Sequence, residues 1–176
     1  MTSFESMGLN PELLRAIDEL GFETPTPIQQ KAIPTIINGK NDLVVLAQTG
    51  TGKTAAFGLP VLQMSDNTDA LQTLVLCPTR ELCLQITSEL NRYSKYMNAI
   101  KVVPVYGGAS IRDQIRLLRT GNQIVVGTPG RVLDMIERKA LDLSTIRWMI
   151  LDEADEMLNM GFKEDLDTLL AETPKE

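Results

Sequence analysis

The sequence predicts an α/β domain with a mainly parallel sheet covered by helices on both faces, and three observations carry that prediction. Apolar runs of strand length, at 42–46, 73–77, 101–105, 123–126 and 147–151, alternate with helical patterns, as they do where parallel strands are joined by helical crossovers. A glycine-rich loop joins the first run to a helical pattern at Ala47-Gln48-Thr49-Gly50-Thr51-Gly52-Lys53-Thr54. The segments leaving the other runs carry small, hydroxylic or charged residues, and in parallel sheets the ligand site lies at that carboxyl edge.

Composition narrows the function. With 176 residues, 43% of them hydrophobic, the chain supports one well-buried core. Its apolar runs fall short of membrane-spanning length and its start lacks a basic, apolar leader, so the expectation is a soluble cytoplasmic protein with no membrane partner. Cys77 and Cys83 have neither metal-ligand spacing nor the density of a disulfide scaffold and read as buried reduced thiols. The chain has no histidine, which excludes Ser-His-Asp and Cys-His catalysis and any imidazole metal site within it. A net charge of −6 argues against a broad basic surface for nucleic acid, so any such contact is local.

Taken in order, Asn10-Pro11 reads as an N-cap followed by proline at the first helical position. Leu13, Leu14, Ile17 and Leu20 then recur at helical spacing until Gly21. The turn Gly21-Phe22-Glu23-Thr24-Pro25-Thr26-Pro27-Ile28-Gln29 is stiffened by its prolines, and Pro27 begins a second helix that runs to Gly39. A ring at Phe22 and a carboxamide at Gln29 suit a purine, the one by stacking, the other by donating and accepting. A core phenylalanine and a surface glutamine fit the same two residues.

In the glycine loop, successive backbone N–H groups and the N-terminus of the following helix suit phosphate. Lys53 is placed to reach the terminal phosphates and Thr54 a magnesium ion, although the usual pattern opens on glycine and here has Ala47. Three later loops, Pro78-Thr79-Arg80-Glu81, Gly107-Gly108 and Thr128-Pro129-Gly130-Arg131, each deliver a helix N-terminus, and two add an arginine. Such a row suits a phosphodiester chain, while each loop singly is also what an ordinary strand-to-helix turn contains. Asp152-Glu153 follows the apolar run Trp148-Met149-Ile150-Leu151, and acidic groups at the end of a buried strand call for a cation. Asp152 would hold magnesium, largely through water, and Glu153 would orient or deprotonate the attacking water. A solvated acidic turn is the plain alternative.

With these motifs in order, the chain resembles the DEAD-box family of ATP-dependent RNA helicases, named for the sequence that stands here as Asp152-Glu153-Ala154-Asp155. The resemblance covers almost the whole chain and implies a three-layer RecA-like P-loop domain. It makes residues 1–40 a Q-motif region with two helices and 41–176 the ATP-binding core, together one structural domain. Phe4 resembles the family's isolated upstream aromatic, Phe22 and Gln29 its adenine-selecting pair, and Ala47 becomes the expected opening of its first motif. Gln48, Thr49, Gly50, Thr51, Gly52, Lys53 and Thr54 are thereby implied to bind ATP with Mg2+. Pro78, Thr79, Arg80, Gly107, Gly108, Thr128, Pro129, Gly130 and Arg131 are implied to grip the backbone of single-stranded RNA, and Asp155 to couple to a second RecA-like domain.

The resemblance reaches only the first of two domains and stops before a Ser-Ala-Thr strand, so the second domain and its arginine fingers are expected to be missing partners. Loss of that strand is expected to leave a gap in the sheet beside the 147–151 run, with rearrangement or self-association through exposed edges. Rival readings are a P-loop motor acting on DNA or polypeptide, and a non-catalytic nucleotide- or RNA-binding module.

Overall fold

The computed structural model describes residues 3–175. Its internal contacts group the chain into two compact units, Met1–Asp66 with Glu89–Ala99, and Asn67–Ser88 with Ile100–Glu176.

The first unit is helical. Helix α1 (Pro11–Glu19) starts where the sequence places its cap: Asn10 Oδ1 accepts from the Leu13 N–H at 2.8 Å, with Pro11 at the first helical position. Asn10 also donates its own N–H to Gln63 Oε1 at 2.7 Å, which ties the start of α1 to helix α3 (Lys53–Met64). Helix α2 (Pro27–Asn38) opens on a reciprocal capping box between Thr26 and Gln29. Ile33 of α2 and Leu59 and Leu62 of α3 are fully buried together with Leu13 and Ile17 of α1. Leu90 and Tyr93 complete this core from the end of helix α4 (Arg80–Tyr93). The Tyr93 hydroxyl donates to Glu89 at 3.0 Å, and burial pushes its pKa well above the usual tyrosine range.

The second unit holds the sheet. Its strands are β1 (Thr73–Leu76), β2 (Val102–Val105), β3 (Ile124–Gly127) and β4 (Trp148–Leu151), all parallel, in the spatial order β2-β3-β1-β4. Every residue of β1 and β3 is buried, which requires cover on both faces of the sheet. The crossovers and the tail supply helices α5 (Ile111–Leu118), α6 (Pro129–Glu137), α7 (Ala154–Asn159) and α8 (Lys163–Ala171). Leu74, Leu76, Val105, Val125, Val132, Met135, Met157 and Leu169 form one core cluster among them. Among the described residues no helix is long and apolar enough to cross a membrane.

Four of the five apolar runs are strands, each within one residue of the sequence reading at either end. The fifth is a correction: residues 42–46 form no strand and belong to no sheet. Their side chains face water, Val44 at 88% and Leu46 at 93% exposure. An apolar run can become a strand only where a neighbouring strand takes its backbone N–H and C=O groups. Here the ladder ends at β4, which pairs with β1 along one side and is half-exposed along its length. The sheet edge expected beside the 147–151 run is therefore open.

Both cysteines are free and buried. Cys83 Sγ donates to the Val126 carbonyl at 3.1 Å, and Cys77 Sγ lies 3.7 Å from the carbonyls of Thr79 and Gly127. A hydrogen bond with Cys83, reinforced by burial, holds Cys77 as a thiol far above its ordinary pKa. A thiol-disulfide reagent at pH 7.5 should therefore titrate neither cysteine in the native chain and both in denaturant; rapid native labelling would contradict this packing. Leu76→Ala, at a fully buried position, should cost about 2–5 kcal/mol in urea unfolding.

Candidate functional site

The first unit carries the glycine loop that the sequence reads as phosphate-binding. Gly50 and Gly52 have φ of +79° and +85°, a region that side chains other than glycine enter at a cost of about 1–2 kcal/mol. These two residues turn the chain into α3, with Lys53 and Thr54 as its first two residues, both half-buried. Thr51 Oγ1 closes the loop on itself by donating to the Gln48 carbonyl at 2.7 Å. Gly52 stands at the N-cap of α3 and no side chain caps the helix start. The first-turn N–H groups thus face the loop, which is the arrangement that takes an anion.

Gln29 is bound into this loop. It is 4% exposed, so the sequence alternative of a surface glutamine is excluded. Its Oε1 accepts from the Thr26 N–H at 2.9 Å, and its Nε2 donates to the Gly52 carbonyl at 3.2 Å. A Cβ at Gly52 would overlap Gln29 Nε2 and so displace the Gln29 amide, and φ of +85° favours glycine there in any case. A carboxamide has two donor hydrogens and two acceptor lone pairs, so one of each remains after these bonds. The spacing Thr26-x-x-Gln29 is itself a capping-box signal that locates the Thr26–Gln29 contact in sequence. Phe22 is half-buried between Phe4 and Tyr93, with ring centroids 6.0 and 5.9 Å away. Phe4 is buried, and Tyr93 joins the aromatic row without having been singled out in the sequence.

The second unit carries the remaining predicted residues, all at the carboxyl ends of its strands. Asp152 follows β4, is nearly buried, and donates its N–H to the Leu76 carbonyl at 2.9 Å. Glu153 caps α7 in the left-handed region, φ +54° and ψ +49°, a conformation that is strained for a side chain of this size. Asp155 is exposed in the first turn of α7. Among the described residues no group of three or more carboxylates and thiols gathers to hold a metal. The Asp152 carboxylate is a hard oxygen donor of the kind magnesium takes.

After β1, Thr79 Oγ1 accepts from the Leu82 N–H at 3.2 Å and caps α4, while Pro78 is buried. Arg80 is exposed, and its guanidinium lies 5.1 Å from the centre of the Tyr106 ring. After β2, Gly107 and Gly108 are exposed, Gly108 at φ +79°, and a Cβ there would stand 3.8 Å from Arg80 Nη1. The structure therefore brings Arg80 and this turn together. After β3, Thr128 precedes α6, with Pro129 buried and Gly130 exposed. A Cβ at Gly127 would overlap Val132 and stand 3.0 Å from the Val105 carbonyl, so only glycine fits that strand end.

Arg131 differs from Arg80: its side chain is 15% exposed and turned inward. It donates from Nη1 to the Ala109 carbonyl at 3.2 Å and to Gln114 Oε1 at 3.3 Å, and its Nε lies 3.8 Å from Asp134. Tyr106 and Gln114 were missed in sequence. A signal existed for Gln114, the polar member of the i, i+3, i+4, i+7 stripe Ile111, Gln114, Ile115, Leu118.

Parallel strands that deliver their outgoing loops to one edge, in a chain that also carries a glycine-rich loop at a helix start, are features of a P-loop α/β protein. The DEAD/DEAH box helicase family model matches residues 26–176. The chain belongs to that family. It is 51% identical over 175 residues to the ATP-dependent RNA helicase DeaD of Escherichia coli strain K12, covering 99% of this chain and 28% of that protein. It is 50% identical over 177 residues to the ATP-dependent RNA helicase CshA of Listeria monocytogenes, covering 34% of it. The chain thus spans about a third or less of the curated relatives it matches. Among solved structures, a DEAD box protein from the hyperthermophile Methanococcus jannaschii matches 99% of this chain and 48% of its own, at a TM-score of 0.95 and 42% identity. A hypothetical ATP-dependent RNA helicase from Sulfolobus tokodaii matches 94% of this chain and 47% of its own, at 0.86 and 43%.

Gly52→Ala should both strain the left-handed backbone and displace the Gln29 amide. The expected result is a loss of about 1–2 kcal/mol in stability, read by calorimetry. Unchanged stability would show that the Gly52–Gln29 contact is not needed.

Proposed function

We propose that this chain is the first, nucleotide- and RNA-binding half of an ATP-dependent RNA helicase. It holds ATP with magnesium and the backbone of single-stranded RNA, and with a second RecA-like domain it couples ATP hydrolysis to local opening of an RNA duplex. The observation that carries this reading is the phosphate loop at the uncapped start of α3, with Lys53 and Thr54 in its first turn, in a chain of helicase family.

Each residue has a role in that reading. The first-turn N–H groups of α3 and Lys53 take the phosphates, and the Thr54 hydroxyl and Asp152 hold the magnesium-bound water shell. Gln29 uses its remaining donor and acceptor to read the edge of adenine, beside Phe22 braced by Phe4. Glu153 orients the attacking water, and Asp155 couples to the second domain. The loops Pro78-Thr79-Arg80, Gly107-Gly108 and Thr128-Pro129-Gly130 take the RNA backbone, with Arg80 the exposed cation among them and Pro78 and Pro129 buried beneath. Reduced, buried Cys77 and Cys83 suit work in the cytoplasm. The open edge of β4 suits self-association at high concentration.

Lys53→Ala should weaken ATP binding about ten- to a hundred-fold, the effect of losing a charge-assisted hydrogen bond of about 1.5–3 kcal/mol. An arginine finger is worth about 10³–10⁵ in phosphoryl transfer, so residues 1–176 alone should hydrolyse ATP barely measurably. Robust RNA-stimulated turnover by this chain would overturn the assignment of half the catalytic machinery to a second domain. Contact with about two to four phosphates gives a log–log salt slope of roughly −1.4 to −2.8 for single-stranded RNA. Tighter binding of equal-length DNA in competition would favour a DNA track instead.

A further inference from the structure

Gln114 is buried on the inner face of α5, at 5% exposure, and its carboxamide closes on the backbone of Tyr106 in both directions. Nε2 donates to the Tyr106 carbonyl at 3.0 Å, and Oε1 accepts from the Tyr106 N–H at 3.3 Å. The same Oε1 accepts from Arg131 Nη1 at 3.3 Å, and Arg131 Nη1 also donates to the Ala109 carbonyl at 3.2 Å. The turn Tyr106-Gly107-Gly108-Ala109 is therefore held at both ends from beneath, while its two glycines face solvent.

We propose that Gln114 is a positioning residue for RNA: it sets the shape in which the Gly107-Gly108 turn meets a phosphate. Arg131 acts through the turn rather than on the strand. Two glycines have no side chains with which to anchor themselves, and Gly108 must hold φ +79°. Without an external anchor such a turn samples many shapes, and ordering it would weaken binding. The anchor also reaches the nearby cation, because the Tyr106 ring is the surface over which Arg80 lies at 5.1 Å. Fixing Tyr106 thus fixes turn and guanidinium as one preformed unit, which a single phosphodiester can meet without reorganising either. Arg131, engaged at Ala109 and Gln114 and with Asp134 at 3.8 Å, completes the brace. This inference rests on the RNA-binding reading above.

The test compares wild-type chain with Gln114→Leu and Gln114→Glu, using a single-stranded oligouridylate and amide hydrogen exchange by NMR. Gln114→Leu removes both Tyr106 bonds and the Arg131 acceptor. It should weaken oligouridylate binding about ten-fold and make the log–log salt slope shallower by about 0.7, the share of one phosphate on a single strand. It should also speed exchange at the Tyr106 amide and those through Ser110, leaving the core amides slow. Gln114→Glu keeps the accepting oxygen and loses the donor, so it should restore part of the affinity and of the slope. Unchanged affinity and slope in Gln114→Leu would overturn the proposal, as would exchange raised throughout the chain, which would mark Gln114 as a core residue only. Failure of the wild-type chain to bind oligouridylate at low salt would instead sink the RNA reading. In that case exchange at Tyr106 to Ser110 still decides: a local rise upholds Gln114 as the anchor of the turn, and its absence overturns it.

Discussion

The parallel register of four strands governs the rest of the second unit. Leu76 of β1 pairs with Gly127 of β3 and Leu151 of β4, and Gly127 pairs in turn with Val105 of β2. All four strands therefore end on one line, and the next residues of each, Cys77, Tyr106, Thr128 and Asp152, leave from a single edge. A parallel ladder allows no other outcome, because each strand must be re-entered from its far end by a helical crossover. The row of loops thus follows from strand direction alone. Glu153, in its left-handed conformation, is where the chain leaves β4 for α7 at that edge.

Glycine loops bring a difficulty that each unit resolves with the same device. A loop that must let a phosphate approach its backbone has to be stripped of side chains, and a stripped loop cannot anchor itself. In the first unit the buried Gln29 amide bridges its own helix cap and the Gly52 carbonyl. In the second unit the buried Gln114 amide bridges the N–H and carbonyl of Tyr106. A carboxamide suits the task because it offers donor and acceptor together without a net charge whose burial would be costly. Both glutamines sit on helices, so the rigidity of a helix is transferred to the loop.

Two arginines near helix starts are held differently. The chain carries a net −6, yet its exposed Arg80 is presented over an aromatic ring beside a glycine turn. Arg131, at the start of the next helix but one, is withdrawn and hydrogen-bonded. Two arginines that look alike in sequence thereby do different work: the first is available to a ligand, and the second stiffens the turn that a ligand would meet.

Much of this was legible from residues. Helix starts at Asn10-Pro11 and Thr26-Pro27, four of the strands and the glycine turn into α3 are written in short-range chemistry: caps, prolines, glycines and runs of apolar residues decide backbone shape within a few positions. The pairing of strands is different, since it depends on partners distant in sequence. Residues 42–46 have a strand's composition and form none, because a ladder partner is a property of the assembled sheet and β4 closes the described one. Side-chain partners divide the same way. Sequence could mark Gln29 as a polar residue after a cap and Arg131 as a cation at a helix start. Only the tertiary structure decided that the one binds Gly52 and the other Ala109 and Gln114, because direction and burial are set by what packs around a residue rather than by its neighbours in the chain.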